Sequence, residues 1–95
     1  MINFALIGTG YIAKVHAKAI KSIKDVNLVA VRGSDKNRTE EFAKKYNIKS
    51  YTDYDELLKD ENIDAVDIVT VNSLHADLGI KAAKAGKHVL VEKPI

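Results

Sequence analysis

Apolar and polar positions along this chain switch between the period of a strand and the period of a helix. Ile2 to Ile7 is a short apolar run that ends at Gly8, the pattern of a buried strand. Ile12, Val15, His16, Ala19, Ile20 and Ile23 then recur at helical spacing. Val26 to Val31 predicts a second strand, and Asn37 to Tyr46 a charged amphipathic helix with Phe42, Ala43 and Tyr46 turned inward. Lys49 to Tyr51 fits a short edge strand. Asp53, with Glu56 three residues on, caps a helix through Leu57 and Leu58. Ala65 to Val71 predicts the fourth strand. Leu74 to Ala85 predicts a helix closed by Gly86 just past its end, and His88 to Val91 a fifth strand.

Strands joined by helices through short loops pair in parallel with right-handed crossovers. The expected fold is therefore α/β: a doubly wound parallel sheet in the order 3-2-1-4-5, with helices on both faces. The order reverses beside strand one, and a crevice opens at such a point. Gly8 and the segment Thr70 to Asn72 end the two strands that flank it.

Composition narrows the class. Ninety-five residues make one domain. Hydrophobic residues are 46% and charged residues 29% of the chain, ordinary values for a soluble globular protein. A net charge of +2 does not argue for nucleic acid or a membrane surface, and no stretch approaches a membrane span. Lys14, Lys18, Lys21 and Lys24 read as one solvated helix face. The chain has no cysteine, so it has neither a disulfide framework nor a thiolate metal site, which fits a reducing, cytoplasmic compartment. No pair among His16, His75 and His88 is spaced like a metal site, and no metal is expected.

The candidate chemistry begins at Gly8-Thr9-Gly10-Tyr11-Ile12-Ala13, a GxGxxA motif that directly follows a strand and opens a helix. Gly8 permits the tight turn, Gly10 lets the backbone approach a pyrophosphate, and Ala13 is small enough for the helix to pack on the strand. Amides from Gly10 to Ile12 would face the diphosphate at a helix N-terminus, which makes this a Rossmann-like dinucleotide site. A nucleoside triphosphate loop is excluded, because Ala85-Gly86-Lys87 is followed by His88 and its glycine ends a helix. A methyltransferase loop would place glycine where Ile12 stands.

Cofactor choice should be written at the end of strand two, Val31-Arg32-Gly33-Ser34-Asp35-Lys36-Asn37-Arg38. An NAD-preferring site places an acid there to hold the ribose diol. The corresponding position is Gly33, and Asp35 reads as a helix cap. A carboxylate beside a 2′-phosphate costs roughly 1–4 kcal/mol at about 4 Å, depending on screening. Its absence, with Arg32, Ser34 and Arg38 able to meet a phosphate, predicts NADP over NAD. If Asp35 reached the ribose, the preference would reverse.

Three motifs taken together resemble a known family. They are the glycine loop, then Thr70-Val71-Asn72-Ser73-Leu74-His75, then Ala85-Gly86-Lys87-His88-Val89-Leu90-Val91-Glu92-Lys93-Pro94. The chain is similar over its whole length to the N-terminal domain of the glucose–fructose oxidoreductase / inositol dehydrogenase / rhizopine catabolism (Gfo/Idh/MocA) family. The resemblance implies that residues 1–95 are the dinucleotide-binding domain of a longer two-domain enzyme whose substrate domain follows. It implies that Thr70, Val71, Asn72, Leu74 and His75 line the pyrophosphate and nicotinamide ribose, and that Glu92 contacts the nicotinamide end. It makes Lys93 the catalytic residue, beside the nicotinamide and the reacting hydroxyl or carbonyl, and makes Lys93-Pro94 a candidate cis bond. Val71 departs from the family's usual proline, which removes a fixed φ and no donor or acceptor side chain. An ammonium beside an oxidised nicotinamide should have a depressed pKa, suiting it to polarise a carbonyl or help move a hydroxyl proton.

The expected function is hydride transfer between a nicotinamide cofactor and a sugar, cyclitol or related polyol. The full-length enzyme is expected as a homo-oligomer, and the 95 residues alone as a cofactor binder with little turnover. The alternative is a non-catalytic dinucleotide-binding or redox-sensing module, for which Lys93 would have no role. His16 and His88 are read as structural.

Overall fold

The first strand, β1 (Ile2–Ile7), lies at the centre of a five-stranded parallel sheet. A computed structural model of the chain describes residues 2–69 and 75–91. After β1 come α1 (Tyr11–Ser22), β2 (Val26–Arg32), α2 (Lys36–Tyr46), β3 (Lys49–Tyr51) and α3 (Tyr54–Lys59). Then β4 (Ala65–Ile68), α4 (His75–Lys84) and β5 (His88–Val91) follow. The strand order is β3-β2-β1-β4-β5, as the alternation of periods predicts. Among the described residues no helix is long and apolar enough to cross a membrane.

Alternate residues of each strand feed two cores. Ala5, Ile7, Ala30, Val66 and Ile68 meet Tyr54 and Leu57 of α3 and Ala82 of α4. Leu6, Leu28 and Val31 meet Ala13, Ala17 and Ile20 of α1 and Phe42, Ala43 and Tyr46 of α2 on the opposite face. This is the period of two carried through a sheet buried on both sides. The pairing of β1 with β2 slips by one residue at Phe4/Ala5, where Val29 of β2 goes unmatched.

Two elements differ from expectation. In α1 the residues that face the sheet are Ala13, Ala17 and Ile20, whereas Ile12, Val15 and Ile23 remain about half exposed. Both sets have helical spacing. The small side chains take the inner face because they let the helix lie close to the strands. The fourth strand ends at Ile68, with Val69 N–H donating to Ile7 carbonyl at 3.0 Å as the last bond of that ladder. Beyond it, Thr70 and Val71 lie outside the described residues.

The local punctuation works as the sequence requires. Asp35 caps α2 through Arg38 N–H at 3.1 Å, and Asp53 caps α3 through Asp55 N–H at 2.9 Å. Gly86, at φ 82°, closes α4, with Lys87 N–H donating to Ala82 carbonyl and Gly86 N–H to Ala83 carbonyl. Lys87 then aims its ammonium at the carbonyls of Asp60, at 2.8 Å, and Ile63, at 2.5 Å. Its positive charge holds the turn between α3 and β4, a structural task for the residue that superficially suggests a phosphate loop.

Tyr54 ties α3 to α4. Its buried hydroxyl donates to Leu78 carbonyl at 2.7 Å. Burial pushes the phenol up to about 12, with the nearby Arg32 charge pulling weakly the other way. The folded state therefore keeps this proton after the unfolded chain, titrating near 10, has lost it. Stability should fall as pH rises from about 10 toward about 12. Tyr54→Phe should cost roughly 0.5–1.5 kcal/mol at neutral pH and flatten that alkaline decline. Thermal unfolding of both proteins between about pH 9 and about pH 11.5 would check it, and parallel pH curves would refute it.

Candidate functional site

β1 ends on Gly8, whose φ of 131° is a conformation that residues with a Cβ rarely adopt. Gly8 N–H donates to Arg32 carbonyl at 2.8 Å, which carries the β1–β2 ladder one residue past the strand and fixes where the chain turns. Gly10 is the N-cap of α1, in extended conformation at φ −76°. Lys14 N–H makes the first helical bond to its carbonyl at 3.2 Å. No side chain caps this helix, and its first turn carries no acid. The amides of that turn thus present partial positive charge at the crevice beside β1 and β4.

A Cβ added at Gly10 would meet nothing within 4 Å. The direction in which a side chain would project is open space over the helix N-terminus. That space continues into a cleft of about 390 Å³ between α1 and α2, large enough for part of a dinucleotide. Thr9, Gly10 and Tyr11 form one wall. Lys14, Arg38, Glu41, Phe42 and Lys45 form the rest, which puts three cations against one carboxylate. Among the described residues, the side chains of Lys14 and Arg38 enter no ion pair.

The expected site residues separate accordingly. Gly8 shapes the turn, and Thr9, Gly10, Tyr11 and Arg38 line the cleft. Ile12 contributes backbone in the first turn of α1, with its side chain 43% exposed. Arg32 goes elsewhere. It follows Val31 by one residue, so it leaves β2 on the α3 face, where its Nε–H donates to Thr52 carbonyl at 3.1 Å. Ser34 is exposed beside the corner, and Gly33 is buried within it. His75 begins α4. Thr70, Val71, Asn72, Leu74, Glu92 and Lys93, with the Lys93-Pro94 bond, lie outside the described residues. No group of three or more potential metal ligands occurs among the described residues.

Several residues the sequence reading passed over matter here. Lys14 belongs to the cleft wall as well as to a solvated helix face. Thr39 is fully buried beside Gly33. Asp67, 1% exposed in β4, shares a hydrogen bond with His16 Nδ1 at 2.5 Å. His16 is thus the hydrogen-bonded packing residue that was expected, with an unexpected partner. An acid inside the run Ala65-Val66-Asp67-Ile68 was the available signal.

Comparison with known proteins agrees with this geometry. Residues 2–95 match the Gfo/Idh/MocA group, described as an oxidoreductase family with an NAD-binding Rossmann fold. The scyllo-inositol 2-dehydrogenase (NAD(+)) of Bacillus subtilis is 41% identical over 96 residues, covering 99% of this chain and 28% of its own. The scyllo-inositol 2-dehydrogenase (NADP(+)) of the same organism is 38% identical, covering 99% of this chain and 29% of its own. The crystal structure of scyllo-inositol dehydrogenase from Lactobacillus casei, with bound NAD(H) and scyllo-inositol, superposes with a TM-score of 0.91 at 30% identity. That match covers 99% of this chain and 28% of the other. The chain therefore spans less than a third of the length of these relatives.

Proposed function

Because the chain belongs to the Gfo/Idh/MocA oxidoreductase family as its NAD(P)-binding Rossmann domain, we propose that it holds the cofactor of a dehydrogenase acting on a cyclitol, sugar or related polyol. The observation that carries this reading is the open space above Gly10, over an uncapped helix end at the mouth of a cationic cleft. A diphosphate satisfies all three features: it needs close backbone approach, free amides and positive charge.

When bound, a nicotinamide would supply the carbon that accepts or gives hydride, and the residues of the chain bind and orient it. Gly8 sets the turn, Thr9 lines the cleft, and the backbone amides of Gly10, Tyr11 and Ile12 hold the diphosphate. Thr70, Val71, Asn72, Leu74 and His75 take the pyrophosphate and nicotinamide ribose, and Glu92 the nicotinamide end. Lys93 polarises the substrate carbonyl or helps move the hydroxyl proton. Arg38, with Ser34 beside the corner, meets a 2′-phosphate, and this favours NADP over NAD. Lys14, on the facing wall of the cleft, adds a second cation. Arg32 is the weakest of the expected phosphate contacts, because Thr52 already engages its guanidinium. The cysteine-free sequence fits a cytoplasmic enzyme, and the full-length protein is read as a homo-oligomer.

Calorimetric titration of the chain with NADPH and NADH in parallel tests the reading. Saturable binding with NADPH roughly tenfold or more tighter is expected, since one phosphate on the Arg38 guanidinium contributes about 1.5–3 kcal/mol. Tighter NADH binding would overturn the NADP preference and keep the site. No binding of either to the folded chain would remove the site assignment itself.

A further inference from the structure

We propose that Thr39 fixes the cofactor choice, because its hydroxyl closes the position from which a side chain at residue 33 would read the adenosine ribose. The inference rests on the NADP reading above and deepens it. Missing acid alone does not describe this corner. Gly33 is buried, and its N–H donates to Tyr51 carbonyl at 3.2 Å, so the β2–β3 ladder holds its backbone in place. Its φ lies outside the left-handed region, so a residue with a Cβ could adopt this backbone. What excludes one is space.

A Cβ at position 33 would collide with Thr39 Oγ1 and stand 2.8 Å from Thr9 Cγ2. Thr39 cannot readily yield. It is fully buried, its hydroxyl donates to Asp35 carbonyl at 2.6 Å, and its N–H donates to the same carbonyl at 2.9 Å. Asp35 in turn caps α2 through Arg38 N–H. Turning the hydroxyl away would break its bond inside the corner that starts α2. Thr9 is the softer contact: its methyl is the end of a half-buried side chain, which can turn aside without moving the backbone of the glycine loop. Removal of Thr39 Oγ1 would leave Thr39 Cβ at 3.5 Å, an ordinary contact. Residues 33 and 39 therefore form one unit. An acid at 33 needs a small, apolar residue at 39 before it can sit between the glycine loop and α2.

The test is a set of variants of this chain: Gly33→Asp, Thr39→Ala, the pair of them together, and Gly33→Asp with Thr39→Val. Valine restores bulk where the hydroxyl stood. Each is read by thermal unfolding and by calorimetric titration with NADPH and NADH. Gly33→Asp alone should lower the melting temperature and weaken both cofactors. Adding Thr39→Ala should recover NADH binding at least tenfold, roughly the discrimination expected when a buried polar pairing is restored, while NADPH stays weak. Adding Thr39→Val should recover nothing. A merely structural role for Thr39 would shift both cofactors alike and leave their ratio unmoved. If Gly33→Asp alone binds NADH as tightly as the double variant, Thr39 does not control the choice.

Failure of the NADP reading would show separately, as an NADH preference in the unmodified chain. The steric unit is also read without any ligand. Gly33→Ala should depress the melting temperature far less in the Thr39→Ala background, and equal depression in both backgrounds would overturn it.

Discussion

Gly10→Ala should leave the fold standing and weaken dinucleotide binding by roughly 100-fold. Three observations make the stability half of this expectation nearly neutral. Gly10 has an ordinary negative φ, a Cβ there meets no atom within 4 Å, and Gly10 has no side chain to lose as a cap. Alanine is a poorer N-cap than glycine, but it restricts the unfolded chain by about 0.4–1 kcal/mol, and these effects largely cancel. The fold therefore has no use for glycine here. The ligand does, because the new methyl would occupy the volume through which a diphosphate reaches the amides of Tyr11 and Ile12. Losing two charge-assisted hydrogen bonds at about 1.5 kcal/mol each gives the expected factor. Gly8→Ala should behave in the opposite way. At φ 131° a Cβ is strained by about 1–3 kcal/mol, so this variant should lose melting temperature first and binding only as a consequence. Thermal unfolding and calorimetry on both variants separate the two glycines. Unimpaired binding by Gly10→Ala would mean that no diphosphate lies over residue 10.

The contrast between these glycines shows what is legible in the sequence. Features carried by a few adjacent residues can be read directly: the strand-loop-helix around Gly8 to Ala13, the caps at Asp35 and Asp53, the helix stop at Gly86. Each follows from local chemistry. The strand order was also accessible, because parallel strands separated by helices leave few topologies open. What could not be read depends on distant contacts. Ile12, Val15 and Ile23 compete with Ala13, Ala17 and Ile20 for the inner face of α1, and only the required closeness of helix to sheet selects the alanines. The apolar run after Ala65 gives no sign that the ladder stops at Ile68. Gly33 can be recognised as a missing acid, but the neighbour that fills its space is six residues away on another element. Lys14 is an ordinary surface cation until the fold sets it on one cleft with Arg38.

His16→Leu should destabilise the chain by about 1–3 kcal/mol, the effect of leaving a buried polar group short of a partner. Asp67 is 1% exposed and shares its sheet face with Leu6, its register partner on β1. That face is covered by α1, from which His16 Nδ1 meets the Asp67 carboxyl at 2.5 Å. Without the imidazole, the carboxyl remains in the interior with one partner fewer, and water has little access to replace it. For a domain whose total stability is of order 5–15 kcal/mol, this loss is a large fraction. Replacing both residues should be far milder than replacing His16 alone. In His16→Leu with Asp67→Val the buried polar pair and its desolvation disappear together, and replacing both partners by apolar groups of similar shape is nearly neutral or stabilising. Urea unfolding of the two single variants and the double one measures the coupling directly. A cost below about 1 kcal/mol for His16→Leu would show that the pair is not a significant tie. The double variant carries the functional consequence. The pair joins the helix that begins at the glycine loop to β4. If the double variant is stable but binds dinucleotide less tightly, the polar tie serves the alignment of α1 with β4, and its place in an otherwise apolar layer has a reason beyond stability.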